Sequence, residues 1–386
     1  MSATAGELFT QKPKLLLLYD YFEPAYKAGG PAISCANLVR FLEDDFEIRV
    51  FTRAIDIDGT VLDVEPDKWV AFAQRSKVFY ALSCWNPVAL HSVFNKYNPD
   101  VVYINGAYSL IGSILPLLSL KLGWIQSRLV IAPRGMLQRS SLKIKRFKKS
   151  LFLPMLRWLM NQDLKVHVTS EQELDELVEL MPQIDLSRIF LYGNVVRHDV
   201  KRRGSHEPGN TLRLVTVALV SPMKQIMEVL KALKGIDLSI EYHLFGPIHD
   251  IAYWRECRLI ADELPVNIVF KYHGALTTTE VPHVLAGHDI YIQPSKSENF
   301  GHSIYEALMT GLPVITSSNT PWQRLEERGA GWNVDTADEL SDAIQQACLL
   351  SQSAYGVLSS GARTVAEEYN ETQNYREDYQ TLFSAL

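Results

Sequence analysis

Glu298 and Glu306 are separated by seven residues that include Phe300 and Gly301, in the stretch PSKSENFGHSIYEALMTGLPVITS. An apolar strand is expected to end at Pro294 and a helix to begin near Gly301. The first turn of a helix leaves backbone N–H groups without intrahelical partners and carries the positive end of the dipole, so it suits a phosphate. Gly301 has no side chain to hold such a ligand off. Glu306 falls about 8 Å further along the helix axis, so the two carboxylates can serve different parts of one ligand. Near the other end of the chain, Ala28, Gly29, Gly30 and Pro31 sit between the first strand and the first helix. Paired glycines let backbone approach a ligand, and proline suits a first helical turn. Arg134, in APRGM after another strand, offers a fixed guanidinium that can offset negative charge.

The elements that must position these residues alternate regularly. KLLLLYDY, EIRVFT, KVFYAL, DVVYIN, RLVIAP and KVHVTS read as buried strands, with amphipathic stretches such as ISCANLVRFL and SLIGSILPLLSL between them. The rhythm lapses at KRRGSHEPGN, residues 201–210, a polar linker. It resumes with LRLVTVAL, MKQIMEVLKAL, LSIEYHLFG, a helix around Trp254 to Glu263, NIVFKYHG, DIYIQPS, HSIYEALMTG and PVITSS, and finishes in helical segments from about Ala337. Alternation of this kind predicts two doubly wound parallel sheets, with ligands at the carboxyl ends of the strands.

Bulk properties exclude several classes. The chain has 386 residues, 47% of them hydrophobic, enough for two cores. A net charge of −6 and a pI near 6.0 give no general attraction to nucleic acid. Cys35, Cys84, Cys257 and Cys348 lie far apart without CxxC spacing, which suggests neither a zinc site nor disulfides and fits a reducing cytosol. The N-terminal residues lack signal-peptide character, and the LLLLY run is too short to span a bilayer. The glycine-rich segment YDYFEPAYKAGGP lacks GxGxxG spacing, which argues against a dehydrogenase. Asp56-Ile57-Asp58 supplies an Asp-x-Asp in letters, but in an acidic loop with nothing like a nucleotide site nearby.

Glu298 and Glu306 with the FG pair between them resemble the Glu-x7-Glu motif of glycosyltransferase family 4, and YDYFEPAYKAGGP, APRGM, HVTSEQE, FGPIHDIAYW and NTPWQRLEERGAGW resemble a bacterial polysaccharide-biosynthesis branch of it. The resemblance implies an α/β GT-B fold: two Rossmann-like domains facing a cleft, an acceptor domain at 1–200 and a nucleotide-sugar donor domain at 211–365. A C-terminal helix at 366–386 is expected to pack back on the first domain. It implies that Glu298 contacts the donor sugar, that the amides of Gly301, His302 and Ser303 after Phe300 bind diphosphate, and that Glu306 holds ribose hydroxyls. Lys224, in VALVSPMKQIMEVLKAL, matches the family lysine that neutralises diphosphate. The family arginine five residues earlier is Leu219 here. Gly29 and Gly30 correspond to the glycine-rich loop under the donor phosphates, and Gly246, Gly274 and Ala275 to loops around the nucleobase. Arg134 falls where many relatives place a histidine near the reacting centre.

By the same resemblance the activity is a metal-independent, cofactor-free, retaining hexosyl transfer from a nucleotide-diphosphate sugar, UDP- or GDP-linked, to a saccharide or lipid-linked saccharide. The setting is synthesis of bacterial capsule, exopolysaccharide or lipopolysaccharide O-chain, at the cytoplasmic face of the membrane. Two alternatives stay open: a sugar-nucleotide epimerase of the same architecture, and a non-catalytic nucleotide-sugar-binding subunit, which the loss of arginine at Leu219 motivates. The segment Arg139 to Met160 carries Lys143, Lys145, Arg146, Lys148, Lys149 and Arg157 among Leu, Phe and Trp with no acid. It reads as an amphipathic helix on anionic lipid, a packed helix with a solvated basic face, or a groove for polyanionic saccharide.

Overall fold

The computed structural model describes residues 12–82, 87–138, 146–161, 163–197 and 211–384. The 201–210 linker and Cys84 lie outside the described residues. The first unit contains β1 (Lys14–Leu18), α1 (Gly30–Leu42), β2 (Glu47–Arg53), β3 (Trp69–Ala71), β4 (Lys77–Ala81), α2 (Pro87–Tyr97), β5 (Val101–Asn105), α3 (Leu115–Lys121), β6 (Arg128–Ala132), α4 (Arg146–Met160), β7 (Lys165–Val168), α5 (Glu171–Leu180) and β8 (Ile189–Leu191). The second contains β9 (Leu212–Val217), α6 (Ile226–Leu233), β10 (Ile240–Phe245), α7 (Ile251–Ala261), β11 (Ile268–Tyr272), α8 (Val281–Ala286), β12 (Ile290–Gln293), α9 (His302–Thr310), β13 (Val314–Thr316), β14 (Gly331–Asn333), α10 (Ala337–Cys348) and α11 (Gln352–Glu371). α12 (Tyr375–Phe383) follows.

The first sheet has eight strands in the order β3-β4-β2-β1-β5-β6-β7-β8, and the second six in the order β11-β10-β9-β12-β13-β14. Every pairing is parallel except β3 against β4 at the edge of the first sheet. Leu15 to Leu18 are all fully buried, as befits a central parallel strand covered by helices on both faces. In the first sheet β1 lies between β2 and β5, and in the second β9 lies between β10 and β12, so the strand order reverses direction at these places. Crevices open at such switch points. The two face each other, which brings the loop after β1 opposite the loops after β9 and β12.

α12 packs against the first unit, with Tyr375 edge-on to Phe41 and Arg376 paired with Asp45. Its Phe383 ring packs edge-on against Phe46 and Tyr103 of the first unit, each at 5.5 Å between centroids. The Tyr379 hydroxyl donates to the Gly193 carbonyl at 3.1 Å, and Lys165 Nζ donates to the carbonyls of Thr381 and Ser384 at 3.0 and 3.2 Å. The hydrophobic cluster under the cleft therefore mixes residues from both units and from this helix.

Candidate active site

The loop after β12 is built around one carboxylate oxygen. Glu298 Oε1 accepts from Gln293 Nε2 at 2.9 Å, from Ser295 Oγ at 2.7 Å and from the Lys224 ammonium. Gln293 and Ser295 are fully buried, and Gln293 is held by the Tyr291 hydroxyl, which donates to its Oε1 at 2.6 Å. Buried donors of this kind fix a carboxylate before a ligand arrives. Neither residue stood out in the sequence; the signal was a polar Gln and Ser closing the apolar run DIYI. Lys224 reaches Glu298 from a short 3-10 turn after β9, Pro222–Lys224.

Gly301 caps α9 in the left-handed conformation, φ 78° and ψ 61°, a position natural to glycine. Behind it, Trp322 Nε1 donates to the Phe300 carbonyl at 2.7 Å, and the Phe300 ring sits among His302, Trp322 and Tyr369. Phe300 thus acts mainly as a wedge that sets the entry angle of α9. Gly301, His302 and Ser303 of the first turn line the cleft. Burial, then the nearby Arg134 charge, pushes the His302 imidazole down to about 3, so its side chain is neutral near pH 7 and any anion is met there by backbone. Burial pushes Glu306 up to about 7 against the opposing influence of Arg197, whose Nη1 donates to the Thr278 carbonyl at 2.9 Å.

Across the cleft, Arg134 is buried and its guanidinium has neutral partners: Nε donates to Asn105 Oδ1 at 2.6 Å, Nη2 to the Tyr103 hydroxyl at 2.7 Å, and Nη1 to Asn194 Oδ1. A buried cation held by neutral acceptors keeps its field available to an incoming anion. Gly30 lies against His302; a Cβ there would be 2.9 Å from the ring. Gly29, at φ 75°, would place a Cβ 3.8 Å from Leu219. Gly30 lets the two walls meet.

These groups enclose a cavity of about 300 Å³ whose lining includes Gly29, Gly30, Arg134, Lys224, Gly246, Glu298, Phe300, Gly301, His302, Ser303 and Glu306. Gly274 and Ala275 stand one layer back. The Gly274 carbonyl accepts from the Gly246 amide at 2.7 Å, and Leu276 and Thr278 form the wall instead. Gly246 is fixed by contact, because a Cβ would lie 1.8 Å from the Ala218 carbonyl oxygen.

Two further groups escaped the sequence. Asn299, between Glu298 and Phe300, reaches into the first unit, donating to Thr169 Oγ1 at 2.8 Å and Glu173 Oε2 at 3.3 Å. Glu173 is buried and also accepts from the amides of Gly135 at 2.5 Å and Thr169 at 2.9 Å, so it ties the loop of Arg134 to that of Glu298. The Asp-x-Asp sequence serves the glycine-rich loop: Asp56 Oδ2 accepts from the Lys27 amide at 3.1 Å, and Asp58 Oδ2 pairs with Lys27 Nζ at 2.7 Å.

Two parallel-sheet units facing a cleft with a lysine–carboxylate pair, a glycine-capped helix start and an opposed arginine define a GT-B architecture. Residues 197–357, which span most of the second unit, match the family model described as glycosyl transferases group 1. Solved structures of the same fold include sucrose-phosphate synthase from Thermosynechococcus elongatus (TM-score 0.74, 17% identity) and Anabaena Alr3699/HepE in complex with UDP and glucose (0.72, 17%), each aligned over 96% of this chain and 100% of its own. WaaG, a glycosyltransferase involved in lipopolysaccharide biosynthesis, aligns over the same shares at 0.67 and 12% identity. A sucrose synthase of Acidithiobacillus caldus is 27% identical over 140 residues, which span 33% of this chain and 18% of that enzyme.

Proposed function

We propose that this protein is a retaining glycosyltransferase that moves a hexose from a nucleotide-diphosphate sugar to a saccharide or lipid-linked saccharide in the synthesis of a bacterial surface polysaccharide, using no metal and no cofactor. The observation that carries the reading is the Lys224–Glu298 pair beside the first turn of α9, facing Arg134 and the paired glycines across the cavity. The diphosphate lies on the α9 amides of Gly301, His302 and Ser303, with Lys224 against it. Glu306 receives the ribose hydroxyls, Glu298 the hydroxyls of the sugar, and the backbone around Gly246 the base. The complex of HepE with UDP and glucose favours UDP as the carrier.

The acceptor oxygen attacks the anomeric carbon on the face from which the diphosphate departs. The bond from that carbon to the phosphate oxygen breaks, and the acceptor's proton passes to the departing oxygen. Lys224, the helix amides and Arg134 stabilise the charge that develops there. Thermal shift with UDP, GDP, ADP, CDP and dTDP in chelator tests the donor site, since saturation at about 100 times the dissociation constant adds roughly 2.7 kcal/mol to the native state. One diphosphate should stand out. Glu298→Ala and Lys224→Ala should each cut transfer by roughly a hundredfold or more with melting little changed; full turnover in both would remove the assignment. Binding without transfer or hydrolysis would point to a non-catalytic subunit.

A lipid-linked acceptor is supported by exposed Leu122, Trp124, Met155 and Trp158 on and beside α3 and α4. No helix among the described residues is long and apolar enough to cross a membrane. Arg157 is exposed and donates to the Leu180 carbonyl at 3.0 Å and 2.7 Å, while Lys143 and Lys145 lie outside the described residues. Exposed tryptophans suit a bilayer interface. Flotation with anionic vesicles should carry the wild type and lose the Trp124→Ala, Trp158→Ala double variant; equal flotation of both would reject this surface.

A further inference from the structure

Leu219 stands where the family resemblance places an arginine, and Gly29 lies against it from the opposite wall, where a Cβ would be 3.8 Å from the leucine. The place of that arginine is therefore roofed by the glycine-rich loop of the first unit. Lys27 belongs to this loop, two residues before Gly29, and lines the same cavity as Lys224 and Glu298. Of the three donors on its ammonium, Asp58 Oδ2 takes one at 2.7 Å and Thr60 Oγ1 another at 3.2 Å. The Lys27 and Asp58 side chains are 19% and 44% exposed. An ion pair open to solvent on one side is weak, whereas a diphosphate in the cleft offers more charge in a drier setting. The backbone of the loop is secured separately, through the Lys27 amide on Asp56, so the ammonium can change partner without moving the glycines.

We propose that Lys27 is the second cation of the donor site: its ammonium leaves Asp58 for a non-bridging oxygen of the nucleoside diphosphate and performs the task that Leu219 cannot. This rests on the donor-site reading above. Lys224 comes from the second unit and Lys27 from the first, so a diphosphate held by both draws the two walls together. Asp58 is then a competing anion that the ligand displaces.

Titration calorimetry of the wild type, Lys27→Met, Asp58→Asn, and the double variant Lys27→Met with Leu219→Arg, against UDP, GDP, ADP and CDP and the matching nucleosides, tests the exchange. Melting temperatures of all variants establish that each is folded. Lys27→Met should weaken the preferred diphosphate about ten- to a hundredfold, the range of a lost charge-assisted hydrogen bond, and leave its nucleoside unchanged. Asp58→Asn should bind the diphosphate at least as tightly as the wild type. Leu219→Arg should restore at least about tenfold of the affinity lost in Lys27→Met, and add little when Lys27 is present. Diphosphate binding by Lys27→Met equal to wild type overturns the proposal alone, as does an equal gain from Leu219→Arg with and without Lys27. A folded wild type that binds no nucleoside diphosphate overturns the donor-site reading and this proposal with it.

Discussion

Glu306 combines burial with a polar duty. Its carboxyl is raised from 4.5 to about 7 by desolvation, because burial penalises the charged form more than the protonated one. Below about pH 4.5 the folded and unfolded forms both carry the proton; as pH rises to about 7 only the unfolded chain ionises, and stability falls by on the order of 3 kcal/mol. Glu306→Gln is therefore expected to melt several degrees higher than wild type at pH 8 and equally at pH 4.5, read by calorimetry. In the proposed role the ionised form would accept from two ribose hydroxyls, so nucleoside diphosphate affinity should rise with pH through about 7. That rise should be absent in Glu306→Gln, which separates it from ionisation of the phosphate itself. A Gln variant with the full pH dependence would remove Glu306 from the ribose.

At the scale of elements, the site is held by loops that cross from one unit to the other. Asn299 grips Thr169 and Glu173 from beside Glu298, so Asn299→Asp would set a second carboxylate next to Glu173. Turnover is expected to fall about tenfold or more near pH 7 and to recover partly in acid, whereas diphosphate affinity should change less; steady-state kinetics across pH checks this. Legibility in the sequence follows the same division. The spacing of Glu298, Gly301 and Glu306 is written within one strand-loop-helix, and both parallel sheets could be read from alternation. The seat of Arg134 depends on Asn105, Tyr103 and Asn194, and that of Lys27 on Asp56 and Asp58, partners brought in by tertiary packing that no local period encodes. Placement of Gly274 and Ala275 behind Leu276 and Thr278 is likewise a matter of how a loop folds over its neighbour. The three-residue β3 and β14 are too short to show a period.

For the whole molecule, the sequence passes from the first unit to the second between β8 and β9 and returns to the first between α11 and α12. Because α12 is docked on the first unit, its loss should act there. Phe383→Ala, which empties a position between Phe46 and Tyr103, is expected to destabilise by about 3–5 kcal/mol, measured by denaturant unfolding, with the first unit affected before the second. The docking of α12 also orders events during translation. The first unit leaves the ribosome first, yet Tyr379, Leu382 and Phe383 of its core are made only after the whole second unit. Nascent domains usually settle in order of synthesis; here the earlier one must wait with Phe46 and Tyr103 uncovered. The cleft is thus assembled only once both of its walls have been made.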